Sequence, residues 1–179
     1  VTATPQDQQQ QPKTSSKFIV LVAIVAVIAL IFGYQALNAK PGAPKLDFTN
    51  IQGKTIDQQS LQGKVYMVNF WATSCATCIK EMPQMIASYE KFRAQGLEFF
   101  AVAMSYDPPN YVLNFTETRQ LPFQVVLDHQ GKIAQAFGDV KLTPTTFVID
   151  KQGKIIKRYV GEPSFDELNQ LLATELAKI

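Results

Sequence analysis

From Phe18 to Leu37 the chain reads FIVLVAIVAVIALIFGYQAL, a stretch with no charge and no polar face. That is about the 20 residues a bilayer requires of a helix, so the pattern predicts a single N-terminal transmembrane helix, retained as a signal anchor. A secretory signal cleaved at Ala39 is the competing reading, but the apolar core of such a signal runs only about 7–15 residues. A helix buried in a soluble core would normally show a polar side, and this one has none. The Gln-rich residues 1–17 are too poor in apolar side chains to fold alone and predict a disordered arm. Residues 38–45 carry the prolines and glycine of KPGAPK, which oppose both helix and strand, and predict a linker. Lys13 and Lys17 before the apolar stretch balance Lys40 and Lys45 after it, so the flanking charge does not choose an orientation.

Residues 46–179 change character. VYMVNFW (65–71) is a nearly unbroken apolar run, which predicts a strand covered on both faces. Ile79, Met82, Met85, Ile86, Tyr89 and Phe92 then recur at spacings of three and four, predicting an amphipathic helix over 76–94 closed by Gly96. EFFAVAMSY (98–106) predicts a second buried strand, 109–120 a helix and FQVVLD (123–128) an edge strand. TTFVID, the turn KQGK and IIKRYV predict a hairpin over 145–160. Ser164 with Glu167 forms a capping-box pattern ahead of Phe165, Leu168, Leu171, Leu172 and Leu176, a last helix with one apolar face. The order of elements predicts an α/β domain with a mixed central sheet flanked by helices.

Composition narrows the function. The net charge of +2 and the lack of a basic stripe with interleaved aromatics argue against nucleic-acid binding. No cofactor-binding pattern stands out. The chain has two cysteines, Cys75 and Cys78, both in FWATSCATCIKEMP. As a staple the pair would close a very short loop and stabilise little. A closed zinc site needs about four ligands, and Cys75, Cys78 and the lone His129 fall short. A copper-delivery site of two thiolates and His129 stays open, although His129 sits in the turn-like LDHQGK. A redox pair accounts for the context best: with a strand ending near Trp71 and a helix beginning near Cys75, the first thiol meets the unpaired amides of a helix N-terminus, which stabilise a thiolate. Cys75 is then the attacking thiol, and Cys78, one turn further in, the resolving one.

VNFWATSCATCIKEMP resembles the active-site segment of the membrane-anchored thioredoxin-like proteins, the TlpA/ResA-like thiol-disulfide oxidoreductases. APKLDFTNIQGKTIDQQSLQGK and LTPTTFVIDKQGKI resemble two further segments of that family, so the likeness covers residues 43–178. The resemblance implies a thioredoxin-like fold with Cys75 as nucleophile and Cys78 as resolver. It further implies a cis peptide at Thr143-Pro144, whose backbone pairs with an extended substrate segment, and an acidic group, Glu81, that moves protons. Trp71 would cover the site and touch substrate. Asn69 stands where cytosolic thioredoxins carry a buried Asp, which leaves proton handling to Glu81. Ser74, where the family usually has Trp, and Ala76-Thr77, a pair not ending in Pro, depart from the pattern and bear on redox poise. The implied activity is reduction of disulfides in envelope proteins, cytochrome c apoproteins among them, by a domain facing the periplasm or cell exterior from the bacterial cytoplasmic membrane. A membrane thiol electron donor would recharge it, with no cofactor or metal of its own. An oxidase that donates its disulfide is the rival direction, since no motif reports potential.

Overall fold

A computed structural model describes residues 16–37 and 40–178. Residues 1–15 of the expected arm and the alternative cleavage point at Ala39 lie outside that range. The chain divides into two compact units, Val1–Ala39 and Lys40–Ile179. In the first, one helix, α1, runs from Ser16 to Leu37. Its described apolar side chains, among them Leu30, Phe32 and Val25, are exposed. Counted on described residues alone, no helix is long and apolar enough to cross a membrane.

The second unit is built on a five-stranded sheet. A small hairpin, β1 (Phe48–Thr49) with β2 (Thr55–Ile56), precedes β3 (Tyr66–Trp71), α2 (Ala76–Phe92), β4 (Glu98–Ala103) and α3 (Pro109–Arg119). Then come β5 (Gln124–Leu127), α4 (Lys132–Ala136), β6 (Thr145–Ile149), β7 (Ile155–Val160) and α5 (Phe165–Leu176). The strand order is β5-β4-β3-β6-β7, with β3, β4 and β5 parallel and β6 and β7 antiparallel to their neighbours. All six residues of β3 are buried, as its unbroken apolar run requires of a central strand covered on both faces.

Two apolar layers clothe the sheet. On one face Met67, Phe99, Ala101 and Val125 pack with Met82 and Met85 of α2, Val112 of α3 and Leu168 and Leu172 of α5. On the other, Val68, Phe70, Phe100 and Phe147 pack with Phe48, Ala134 and Phe137. The two β-α-β crossovers through α2 and α3 run the same way along the sheet, so the usual right-handedness puts both helices on one face.

Several boundaries differ from the sequence pattern. The helix from Ala76 stops at Phe92, tightens into a 3-10 turn over Arg93–Gln95, and ends at Gly96 with φ 95°, a left-handed conformation suited to glycine. It runs through Pro83, which has no amide to donate to the Ile79 carbonyl. β4 ends at Ala103 rather than at 106, because Met104 donates its N–H to the Trp71 carbonyl and Asp107 then turns the chain back onto Met104. The short α4 had no counterpart in the pattern. It is held by Asp128, whose carboxylate accepts the amides of Ile133 and Ala134 at 3.1 and 2.8 Å.

Candidate active site

The cysteines lie where β3 gives way to α2. Cys75 is the N-cap of α2 with extended backbone, φ −89° and ψ 103°, and its Sγ accepts the Cys78 N–H at 3.2 Å. The two are joined as a disulfide with Cα atoms 5.2 Å apart. Cys75 is partly exposed, whereas Cys78 is fully buried in the core beneath α2. A partner disulfide can therefore reach Cys75 and not Cys78. On reduction, the amide already aimed at Cys75 Sγ and the N-terminal end of the helix dipole favour the thiolate there.

Two loops flank the pair. Thr143-Pro144 is cis. Thr145 is registered against Phe70, so Pro144 stands beside the C-terminal end of β3, the edge from which the cysteine loop emerges. The Pro144 carbonyl accepts the Gly161 amide at 2.8 Å. Among the described residues neither the N–H nor the C=O of Thr143 has a partner, which leaves one short stretch of backbone open for strand addition. The second loop follows β4. Asp107, 5% exposed, accepts the Thr73 N–H at 2.6 Å and the Thr73 hydroxyl at 2.5 Å, fixing the approach to Cys75. These are short bonds to an acceptor shielded from water. Next to it, the Tyr106 hydroxyl lies 3.4 Å from Thr143 Oγ1. Asp107 was not among the candidates drawn from the sequence. The signal available, an Asp ahead of Pro108-Pro109, marks a turn and says nothing of Thr73.

Glu81 is the one acid buried behind the cysteines on α2. It is 1% exposed, so it is no surface residue of the helix. Asn69 of β3 donates one amide hydrogen to Glu81 Oε1 at 3.2 Å and another to Thr146 Oγ1 of β6 at 2.9 Å. Glu81 Oε2 is buried with no partner. Burial pushes the carboxyl up to about 8; the Asn69 bond opposes this and the Glu162 carboxylate adds to it. Glu162 is itself tied to Lys80 at 3.0 Å. A carboxyl of this kind exchanges its proton near neutral pH.

Two expectations need correction. Trp71 offers no surface to a substrate: it is fully buried, with its ring 5.3 Å from that of Phe115, and belongs to the core on which the cysteines rest. The last position of a central strand covered by α2 and α3 has no route to solvent. The copper reading loses its third ligand. His129 is exposed in the turn after β5, two strands across the sheet from β3, and among the described residues no three His, Cys, Asp or Glu side chains are grouped to hold a metal.

A reversible cysteine pair at a helix N-terminus, one sulfur reachable and the other buried, next to a cis-proline loop, defines a thiol-disulfide exchange site on a thioredoxin-like fold. Comparisons with known proteins agree. The Redoxin family model matches residues 38–172. The chain is 37% identical over 131 residues to the thiol-disulfide oxidoreductase ResA of Bacillus thuringiensis subsp. konkukian, covering 73% of this chain and 74% of that protein. It is 35% identical over 148 residues to ResA of Bacillus subtilis, covering 80% and 82%. A solution structure of a putative thioredoxin from Neisseria meningitidis superimposes with a TM-score of 0.71 at 37% identity, covering 76% of this chain and 91% of that one. The chain belongs to the Redoxin family and, within it, to the ResA-like thiol-disulfide oxidoreductases. It is an enzyme of dithiol-disulfide exchange, working through Cys75 and Cys78.

Proposed function

We propose that the protein is a membrane-anchored reductant of disulfides in envelope proteins, cytochrome c apoproteins among them, acting on the outer side of a bacterial cytoplasmic membrane. The observation that carries the exchange mechanism is the asymmetry of the pair, Cys75 reachable and Cys78 buried. In the reduced enzyme the Cys75 thiolate attacks one sulfur of the partner disulfide, forming an intermolecular bond and releasing the partner's other sulfur as a thiolate. The partner segment lies along the open backbone of Thr143, held by cis-Pro144. Cys78 then gives up its proton and attacks Cys75 Sγ; the second partner sulfur leaves, and the enzyme ends oxidised as its partner ends reduced. Glu81, behind Cys78 on the same helix and exchanging its own proton near neutral pH, takes that proton in its ionised form and returns it when a membrane thiol donor reduces the enzyme again.

The anchor is supported by the sequence from Phe18 to Leu37, uncharged throughout, and by the 22-residue helix over Ser16–Leu37. At 1.5 Å per residue such a helix spans about 33 Å, against about 30 Å for a bilayer's hydrocarbon core. The outward orientation rests on the chemistry, since disulfides persist in oxidising compartments.

Protease added to intact spheroplasts tests the topology: the domain from Lys40 onward should be digested while residues before α1 are spared. Digestion only after the membrane is breached would put the domain inside. Direction is tested by the reduction potential, which should lie well below that of oxidising exchange proteins such as DsbA, at about −120 mV. A value at that level would make the protein a disulfide donor.

A further inference from the structure

The edge of the sheet opposite the cysteines carries a cleft of its own. β3 begins at Tyr66, registered with Ile149 at the end of β6, which pairs with Ile155 at the start of β7. This edge is therefore the far one from Cys75, about 20 Å away along a six-residue strand. The chain enters the domain here: Gly42 bridges to Lys154, the Ala43 amide donates to the Gly153 carbonyl at 2.8 Å, and the Ile155 amide donates to the Pro41 carbonyl at 2.9 Å. Residues 41–43, at the start of the domain, are thus pinned to the β6–β7 turn and do not hang free.

The cleft beside that entry is lined by Lys45, Lys151 and Lys154 and by Gln58, Gln62 and Gln152, with no carboxylate in its lining. None of the three lysines forms an ion pair among the described residues. Lys151 Nζ donates to the backbone carbonyls of Leu176 and Lys178. Two acids stand nearby and are bonded to backbone: Asp150 accepts the Gln152 and Lys154 amides at 3.0 and 2.9 Å, and Asp47 accepts the Gln58 amide at 3.0 Å. Lys40, also exposed, adds a further positive charge at the entry. Three cations and three amide side chains around one cleft outnumber the single buried Asp150 carboxylate, which acts on Tyr66 in the lining, and suit an anionic group with several acceptor oxygens.

Chain length says which source of such a group is at hand. Three residue steps separate Leu37, the last residue of α1, from Lys40, and no chain can stretch them beyond about 11 Å. We propose that this lysine-lined edge is a docking surface for the anionic phospholipid headgroups of the membrane that holds α1. The proposal rests on the anchor reading above. Each lysine near a negatively charged bilayer adds about 1 kcal/mol of attraction. The consequence is an oriented enzyme, with its base on the headgroups and Cys75 turned toward partner proteins.

The test uses the full chain in lipid nanodiscs, of phosphatidylcholine alone or with a one-third share of phosphatidylglycerol, and a water-soluble amine-acylating reagent read out by mass spectrometry. Lys45 and Lys154 should be acylated about fivefold more slowly in the anionic discs than in the neutral ones, with the difference erased by high salt. Lys141, exposed next to the Thr143 loop, should react equally in both. Equal acylation of Lys45 and Lys154 in the two discs would overturn the proposal while leaving the anchor intact. Protection by inorganic phosphate in neutral discs would overturn it in favour of a small-anion site. Failure of the full chain to co-purify with either disc would remove the anchor reading, and the proposal with it.

Discussion

Replacing Glu81 by Gln isolates the proton that the site holds. The side chain keeps its shape and can still accept from Asn69, but it no longer titrates. In the wild-type protein the carboxyl is raised from an ordinary 4.5 to about 8. Between those values the folded protein keeps a proton that the unfolded chain has already released, so unfolding loses a proton and stability falls as pH rises. The fall begins near pH 4.5 and levels off above about 8. At about 1.4 kcal/mol per unit the shift amounts to about 5 kcal/mol at most, a large share of the 5–15 kcal/mol typical of a domain. Glu81→Gln removes this dependence. Denaturant titration of the oxidised full chain in mild detergent, read by the fluorescence of Trp71, the only tryptophan, reports the difference. Near pH 5 the two proteins should differ by less than about 1 kcal/mol; near pH 9 the variant should be the more stable by about 2 kcal/mol or more. Parallel stabilities across that range would refute the assignment of a protonated, buried Glu81. In reduced protein the same variant should flatten the pH dependence of Cys78 reactivity and slow the resolving step.

Asp107→Ala leaves the Thr73 amide and hydroxyl without their acceptor, and should cost about 2–4 kcal/mol of stability in a melting experiment. Asp107→Asn, which keeps one acceptor oxygen, should recover part of it; equal stability of both variants and wild type would show that the clamp on the cysteine loop contributes nothing. His129→Ala should leave exchange activity and Cu(I) affinity unchanged, and a large drop in Cu(I) affinity would reopen the copper reading. Trp71→Phe should lower stability through lost core packing while leaving the KM for a peptide disulfide within about twofold, since no part of Trp71 reaches the surface. A selective rise in that KM would mean that Trp71 touches substrate after all.

What the sequence conveyed divides along the range of the interactions involved. β3, α2, the β6–β7 hairpin and α5 each carry a period of two or of three to four, or an unbroken apolar run, within a dozen or so residues, and local pattern finds them. The cysteine pair is legible for the same reason, because its chemistry comes from two neighbouring elements. Glu81 is half legible. Helical spacing puts it on the face of Cys78, but its burial is decided by Asn69 and by Thr146, 77 residues beyond Asn69. Trp71 was misread because an aromatic at a strand end can face either core or cleft, and the helix that covers it, α3, lies some 40 positions on. Asp107 was missed because its bonds to Thr73 cross 34 residues between two loops. The early end of β4 has the same origin, the turn that brings Asp107 back. The cis peptide at Thr143-Pro144 follows from no local rule, since only about 5–6% of such bonds are cis, and came from family resemblance alone.

The central claim is the order of attack. Replacing Cys78 by Ala removes the resolving thiol but leaves Cys75 at the N-cap of α2 and partly exposed. In cells, or in membranes mixed with disulfide-bearing envelope proteins, this variant should accumulate covalent complexes that run as high-mass bands on non-reducing gels and vanish on reduction. Cys75→Ala should accumulate none, because buried Cys78 cannot meet a partner. A folded Cys78→Ala protein that captures nothing, or a Cys75→Ala protein that captures as much, would contradict the mechanism.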